Sequence, residues 1–214
     1  MPGPHLVYFA DPMCSWCWGF SPTIEAIEQR FGDALPIRLV MGGLRPWTAE
    51  PMTEAAKASS RGHWDHVHAA SGQPFDYRFF DRSGFVYDTE PASRAVVVMR
   101  RRGVADGLAA LRAVQHAFYA ENRDTTDQGE LTAIAAGLGF DAEGFARDFD
   151  SEAARQETTQ DFALSQGAGV RGFPTLIAGT GEEGRYGLVT NGYQPGEAIL
   201  PALERWRATV DVPA

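Results

Sequence analysis

His5-Leu6-Val7-Tyr8-Phe9-Ala10-Asp11-Pro12-Met13-Cys14-Ser15-Trp16-Cys17-Trp18 is the stretch whose reading decides how this chain folds. Its opening residues are mostly β-branched or aromatic and end at Asp11-Pro12, which predicts a short buried strand. Beyond the cysteines, Phe20, Ile24, Ile27 and Phe31 recur at helical spacing, and Gly32 follows as a stop. Ile37-Arg38-Leu39-Val40-Met41 predicts a second strand, ended by Gly42-Gly43. Strand, helix and strand in this order make a β-α-β unit, whose crossover is almost always right-handed with parallel strands. Cys14 and Cys17 fall at its first strand-to-helix turn.

The end of the chain has a different rhythm. Phe173 to Ala178 reads as a strand, Gly179 to Gly184 as a turn, and Arg185 to Thr190 as a returning strand. Pro195 to Val210 carries Ile199, Leu200, Leu203 and Trp206 at the spacing of a final amphipathic helix. Between these β-α-β and β-β-α units lies a helical stretch, with helices expected over Glu90–Arg102, Ala105–Glu121, Asp127–Leu138 and Asp141–Gln166. Gly62, Gly72-Gln73-Pro74 and Ser83-Gly84 are expected to break its entry. The organisation predicted is α/β: residues 1–48 and 169–214 form one discontinuous sheet domain, interrupted by a helical insertion over 49–168.

With 214 residues, among them 13 Phe, 6 Tyr and 5 Trp, the chain is long enough to bury roughly 70% of its unfolded surface without a disulfide or metal staple. The two cysteines therefore need another explanation. A net charge of −9 gives a surface that repels phosphate backbones and anionic lipid, which argues against nucleic-acid and membrane partners. Met1-Pro2-Gly3-Pro4-His5 has no basic region, and the apolar run from Leu6 to Ala10 falls short of the ~7–15 residues of a signal-peptide core. No run approaches the ~20 apolar residues of a membrane span. The address these features predict is the cytoplasm, where thiols stay reduced and a close cysteine pair is catalytic or metal-binding rather than structural.

Cysteines at i and i+3 of a helix start share a face and can close a disulfide without backbone movement. Cys14 is expected in the first helical turn, where unpaired N–H groups and the helix dipole favour a thiolate over the free thiol of pKa ~8.5. Cys17, one turn inside, is expected to be less exposed and to act as the resolving thiol. Ser15 and Trp16 add no positive charge, and Asp11 opposes ionisation if it faces the sulfur. Trp16 and Trp18 could form an apolar lip for substrate. Two other readings exist: small buried hydrophobes, or half of a zinc site. Zinc needs further ligands, and His63, His66 and His68 are the candidates, although such histidines are more commonly solvated. Glu90 and Arg94 read as a solvated i,i+4 ion pair, and Arg100-Arg101-Arg102 as a solvated helix end. Trp47, Trp64, Phe75, Tyr77, Phe79, Phe80, Phe85 and Tyr87 could form an apolar binding surface, but aromatics at this density more often make core.

Two motifs and the insert carry a resemblance. Phe9-Ala10-Asp11-Pro12-Met13-Cys14-Ser15-Trp16-Cys17-Trp18-Gly19 and Gly169-Val170-Arg171-Gly172-Phe173-Pro174-Thr175 resemble the active-site and proline-loop segments of thioredoxin-fold proteins of the DsbA-like branch. Tyr87 to Val96 and Gln115-His116-Ala117-Phe118-Tyr119 are similar to the insert of its cytosolic group of predicted protein-disulfide isomerases, near FrnE-like proteins. The likeness spans nearly the whole chain. It implies a thioredoxin fold, Cys14 as attacking cysteine, Cys17 as resolving cysteine, Pro174 as a cis-proline packed against the pair, and Phe173 holding a substrate peptide as an added strand. Ser-Trp rather than Pro-His between the cysteines, and no export signal, set it apart from the periplasmic oxidants.

The activity implied is thiol–disulfide exchange through a mixed disulfide, on protein or peptide thiols and disulfides. No bound cofactor is expected, and electrons are expected to come from a thiol donor such as glutathione or a thioredoxin-type partner. Oligomeric state stays open between monomer and homodimer. Two alternatives stand beside this: a glutathione-dependent isomerase or kappa-class-like transferase, which uses a single serine or cysteine nucleophile position, and a non-enzymatic chaperone-like binding protein.

Overall fold

In the computed structural model, which describes residues 3–182 and 185–210, the first apolar run forms β1 (His5–Ala10), buried along its whole length. α1 (Ser15–Phe31) follows the Asp11–Cys14 turn, and β2 (Ile37–Met41) returns parallel to β1, with Leu6 opposite Ile37 and Ala10 opposite Met41. β3 (Thr175–Gly179) pairs antiparallel on the other side of β1, and β4 (Tyr186–Asn191) pairs antiparallel with β3. The sheet order β2-β1-β3-β4 joins the two ends of the chain through its centre. α8 (Gly196–Val210) packs on α1. The end of the turn expected over Gly179–Gly184 lies outside the described residues. The architecture is the thioredoxin fold that the resemblance implies, built on the expected β-α-β and β-β-α order.

The intervening helices are α2 (Glu54–Ser71), α3 (Glu90–Arg100), α4 (Val104–Tyr119), α5 (Gln128–Gly137), α6 (Ala142–Asp150) and α7 (Glu152–Gly167). Two expectations are corrected here. Gly62 does not break the chain but sits inside α2, where an added Cβ would meet nothing. Its cost of ~1 kcal/mol is offset by the Thr53 cap, which accepts the Ala56 N–H, and by burial of Trp64 and Val67. The single helix expected over Asp141–Gln166 is two, because Ser151 is extended and caps the N-terminus of α7 by accepting the Ala154 N–H.

Trp64 sits at the centre of an aromatic cluster, with the rings of Phe75, Phe79, Phe80 and Tyr119 at 4.7–5.2 Å between centroids. The aromatic run is thus core rather than surface, except for Trp47, which is 62% exposed. Edge strand β2 presents open backbone groups that must be covered. The Asp161 carboxylate of α7 accepts the Met41 N–H at 2.8 Å, Arg100 of α3 donates to the Leu39 carbonyl at 2.9 Å, and the two side chains pair with each other. Arg100 is therefore turned inward, not solvated as its place in an arginine run suggested; Arg101 pairs with Glu157 at 3.0 Å.

Glu90 and Arg94 are likewise not a solvated pair. Their side chains are 11% and 9% exposed, Arg94 Nε lies 2.9 Å from Glu90 Oε1, and the Phe149 ring of α6 covers the guanidinium at 4.0 Å. Among the described residues no helix is long and apolar enough to cross a membrane.

Candidate functional site

The turn that carries the cysteines is built on a buried carboxylate. Asp11, with no exposure to solvent, accepts the Met13 N–H at 2.9 Å and the Leu44 N–H at 2.7 Å, tying the β1–α1 turn to the β2–α2 loop. Tyr87 donates its hydroxyl to the Met13 carbonyl at 2.6 Å and fixes the turn from the α3 side. Cys14 is consequently the extended N-cap residue of α1, one position before the first turn in which it was expected. Its carbonyl accepts the Trp18 N–H at 3.0 Å.

Cys14 and Cys17 are both free thiols. Cys14 is 6% exposed, and its Sγ lies 3.6 Å from the carbonyl oxygen of Phe173. Cys17 is fully buried behind it. Burial, and the neighbouring Cys14, push the Cys17 thiol well above its ordinary range. The Phe173–Pro174 peptide bond is cis, and β3, which follows it, pairs directly with β1, so the second motif lies beside the first. Gly42 is needed at the junction: a Cβ there would stand 2.2 Å from the Phe173 ring.

Around Cys14 opens a cleft of about 280 Å³ whose walls include Trp16, Leu44, Arg45, His63 and Phe173. Trp16 is half-buried there and packs against Tyr193. Trp18 is no lip; it is buried beside Tyr119 and donates its indole N–H to the Pro74 carbonyl at 3.0 Å. Arg45, held over the Tyr87 ring at 5.2 Å, was missed in the sequence because nothing local marks it. His63, which the sequence offers only as a metal candidate, reaches the cleft from α2, while His68 Nδ1 donates to the Gln73 carbonyl. Among the described residues no group of three or more His, Cys, Asp and Glu side chains is placed to hold a metal ion. The positive charge that Ser15 and Trp16 do not supply is brought to the cleft by Arg45.

Burial pushes the Asp11 carboxyl up to about 6, against the opposing hydrogen bonds from Leu44 and Met13. A folded pKa above the unfolded value of ~3.9 means that the folded state holds the proton more tightly. The stability from this group is fully present below the unfolded pKa and is lost as pH rises through about 6. In urea unfolding from pH 4 to 7, the wild type should lose ~2–3 kcal/mol relative to Asp11→Asn. Parallel stability curves would show that the carboxyl titrates normally.

Comparison with known proteins places this geometry in context. The family model described as Thioredoxin matches residues 8–200. A Nitrosomonas europaea protein, provisionally described as a protein disulfide isomerase, is 36% identical, with 97% of this chain and 98% of that one covered at a TM-score of 0.89. The cytosolic disulfide reductase DsbM of Pseudomonas aeruginosa is 28% identical over 97% of both chains, with a TM-score of 0.74, and its structure is also known with GSH. Curated relatives are ClpXP adapter proteins SpxH: that of Shouchella clausii is 25% identical over 99% of this chain and 70% of its own length, and that of Bacillus subtilis is 24% identical over 80% and 57%. The chain thus spans only part of those relatives.

Proposed function

This chain belongs to the thioredoxin family, and we propose that it is a thiol–disulfide oxidoreductase in which Cys14 attacks and Cys17 resolves. The observation that carries the reading is the placement of the Cys14 sulfur at the floor of a cleft, 3.6 Å from the Phe173 carbonyl, with Cys17 enclosed one helical turn behind it. In the reducing direction the Cys14 thiolate attacks one sulfur of a substrate disulfide. The S–S bond breaks, and the leaving sulfur takes a proton. Cys17 then gives up its proton as the departing substrate sulfur takes one, and attacks the Cys14 sulfur of the mixed disulfide. The second substrate thiol leaves, a Cys14–Cys17 disulfide forms, and two electrons have passed to the substrate.

Phe173 borders the cleft together with Trp16, and Pro174 follows it through the cis peptide bond. Pro174 offers no N–H, so a peptide added there as a strand would bond through the backbone of Phe173, which suits many sequences because main-chain bonds ignore side chains. Protein or peptide disulfides are the proposed substrates. The reduced state would be restored by a thiol donor such as glutathione, with which DsbM is also known, and the likeness to cytosolic DsbM supports a cytosolic address.

Reduced Cys17→Ser should test the reading, because it removes the resolving thiol and leaves the attacking one. Incubated with oxidised insulin, it is expected to accumulate a covalent adduct at Cys14, seen by mass spectrometry and released by dithiothreitol. No adduct would overturn the proposal. A second reading, a protein-binding adapter, is supported by the SpxH relatives and by Leu44, which stands exposed in the cleft wall. Equal partner binding by a variant with both cysteines changed to Ser would favour it.

A further inference from the structure

Arg45 stands in the β2–α2 loop with its backbone clamped against the start of α3. Its N–H donates to Thr89 Oγ1 at 3.1 Å, and its carbonyl accepts the Thr89 N–H at 3.3 Å and the Thr48 hydroxyl at 3.0 Å. The guanidinium lies over the Tyr87 ring, 5.2 Å from its centroid. The hydroxyl of that same ring is held by the Met13 carbonyl, one residue before Cys14. A single ring thus fixes both the cationic head and the turn that carries the sulfur. The guanidinium is also free to take a partner: Arg45 is exposed, and among the described residues it forms no ion pair. Asp88, close by in sequence to Tyr87, is already engaged by the N–H groups of Trp47 and Glu90. The chain has 28 Asp and Glu residues, yet none lines the cleft around Cys14. In a protein of net charge −9, an acid-free cleft with a fixed cation gathers anions where the rest of the surface repels them.

We propose that Arg45 is a specificity-determining residue that selects peptide disulfides with a carboxylate beside the reacting cysteine. The inference rests on the exchange reaction proposed at Cys14. The Phe173 carbonyl lies 3.6 Å from the Cys14 sulfur, so a peptide seated on the Phe173 backbone brings its cysteine to that sulfur. In a cleft of about 280 Å³, Arg45 reaches the side chains flanking that cysteine. A guanidinium offers a carboxylate two parallel N–H donors, and stacking on Tyr87 holds that fork in place before substrate arrives. A neutral side chain gains no such pair, and a lysine is repelled. Glutathione disulfide presents the same chemistry through its own carboxylates; the strand-like seating at Phe173 favours a Glu or Asp side chain in a longer peptide.

The test is a single turnover in which reduced protein and a peptide disulfide give the Cys14–Cys17 disulfide and two peptide thiols, followed by the fluorescence of Trp16 and Trp18. Three disulfides of one peptide are compared, with Glu, Gln or Lys next to the cysteine, each rate divided by that of the same disulfide with dithiothreitol. Wild type is expected to prefer Glu over Gln about tenfold, and Gln over Lys. Arg45→Gln should bring the Glu-to-Gln ratio to within twofold of one; the ratio cancels any change in the reactivity of Cys14 itself. With no variant at all, the wild-type preference should fall as salt rises from ~0.01 M to ~1 M, which shortens the screening length from ~30 Å to ~3 Å. A wild-type ratio near one, or a preference that survives Arg45→Gln, would overturn the inference while exchange at Cys14 stands. So would a response to Arg45→Gln confined to glutathione disulfide. If wild type reduces none of these disulfides, the proposed function falls and the inference falls with it.

Discussion

Cys14→Ser is expected to bring the reduction of insulin by this protein down to the uncatalysed rate. Serine keeps the shape but not the chemistry: its hydroxyl is un-ionised at neutral pH and forms no disulfide. Cys17 cannot take over, because it is wholly enclosed and its thiol is pushed well above the ordinary range by burial. The loss should be on the order of 10³-fold or more, as when other covalent nucleophiles are removed. The fold should survive, since Cys14 contributes one weak contact, to the Phe173 carbonyl at 3.6 Å, and Asp11 and Tyr87 hold the turn without it. Turnover by Cys14→Ser within tenfold of wild type, with a native circular dichroism spectrum, would remove the attacking role from this residue.

The parts of this site written in local sequence were legible. β1 and β2 are short apolar runs closed by Asp11-Pro12 and Gly42-Gly43, and a strand-turn-helix carrying Cys14 and Cys17 identifies itself by spacing. Phe173-Pro174 was readable only jointly with that motif. The rest depends on what packs over a residue. The i,i+4 spacing of Glu90 and Arg94 says that they meet, but the ring of Phe149 that closes over them comes from α6. Arg100 lies in a run of three arginines that reads as solvated until Asp161 and the edge of β2 are laid beside it. Arg45 and His63 reach the cleft from a loop and from a helix that Gly62 seemed to break.

Arg94→Met should be among the most destabilising single changes in the chain. Arg94 meets Glu90 at 2.9 Å, donates to the Phe149 carbonyl at 2.9 Å and lies under the Phe149 ring. Methionine fills much of the same volume but leaves a buried carboxylate and a carbonyl without their donor. Breaking a buried pair in this way costs about 3 kcal/mol or more, a large part of the ~5–15 kcal/mol of a typical domain. For a chain of this length that corresponds to a Tm lower by ~6–12 °C. The sign of its pH dependence follows from Glu90, whose carboxyl is already raised by desolvation against the pull of Arg94. Without the guanidinium it rises further, so the deficit is largest where the carboxyl is charged and shrinks as pH falls through its folded pKa. Glu90→Gln should therefore recover part of the loss at neutral pH, and a double-mutant cycle measures how much. The effect reaches the cleft through the start of α3, where Thr89 Oγ1 accepts the Arg45 N–H at 3.1 Å and Asp88 Oδ1 accepts the Trp47 N–H at 2.7 Å. If Arg94→Met unfolds within 2 °C of wild type at neutral pH, the pair is solvated after all, and that anchorage of the cleft wall does not depend on it.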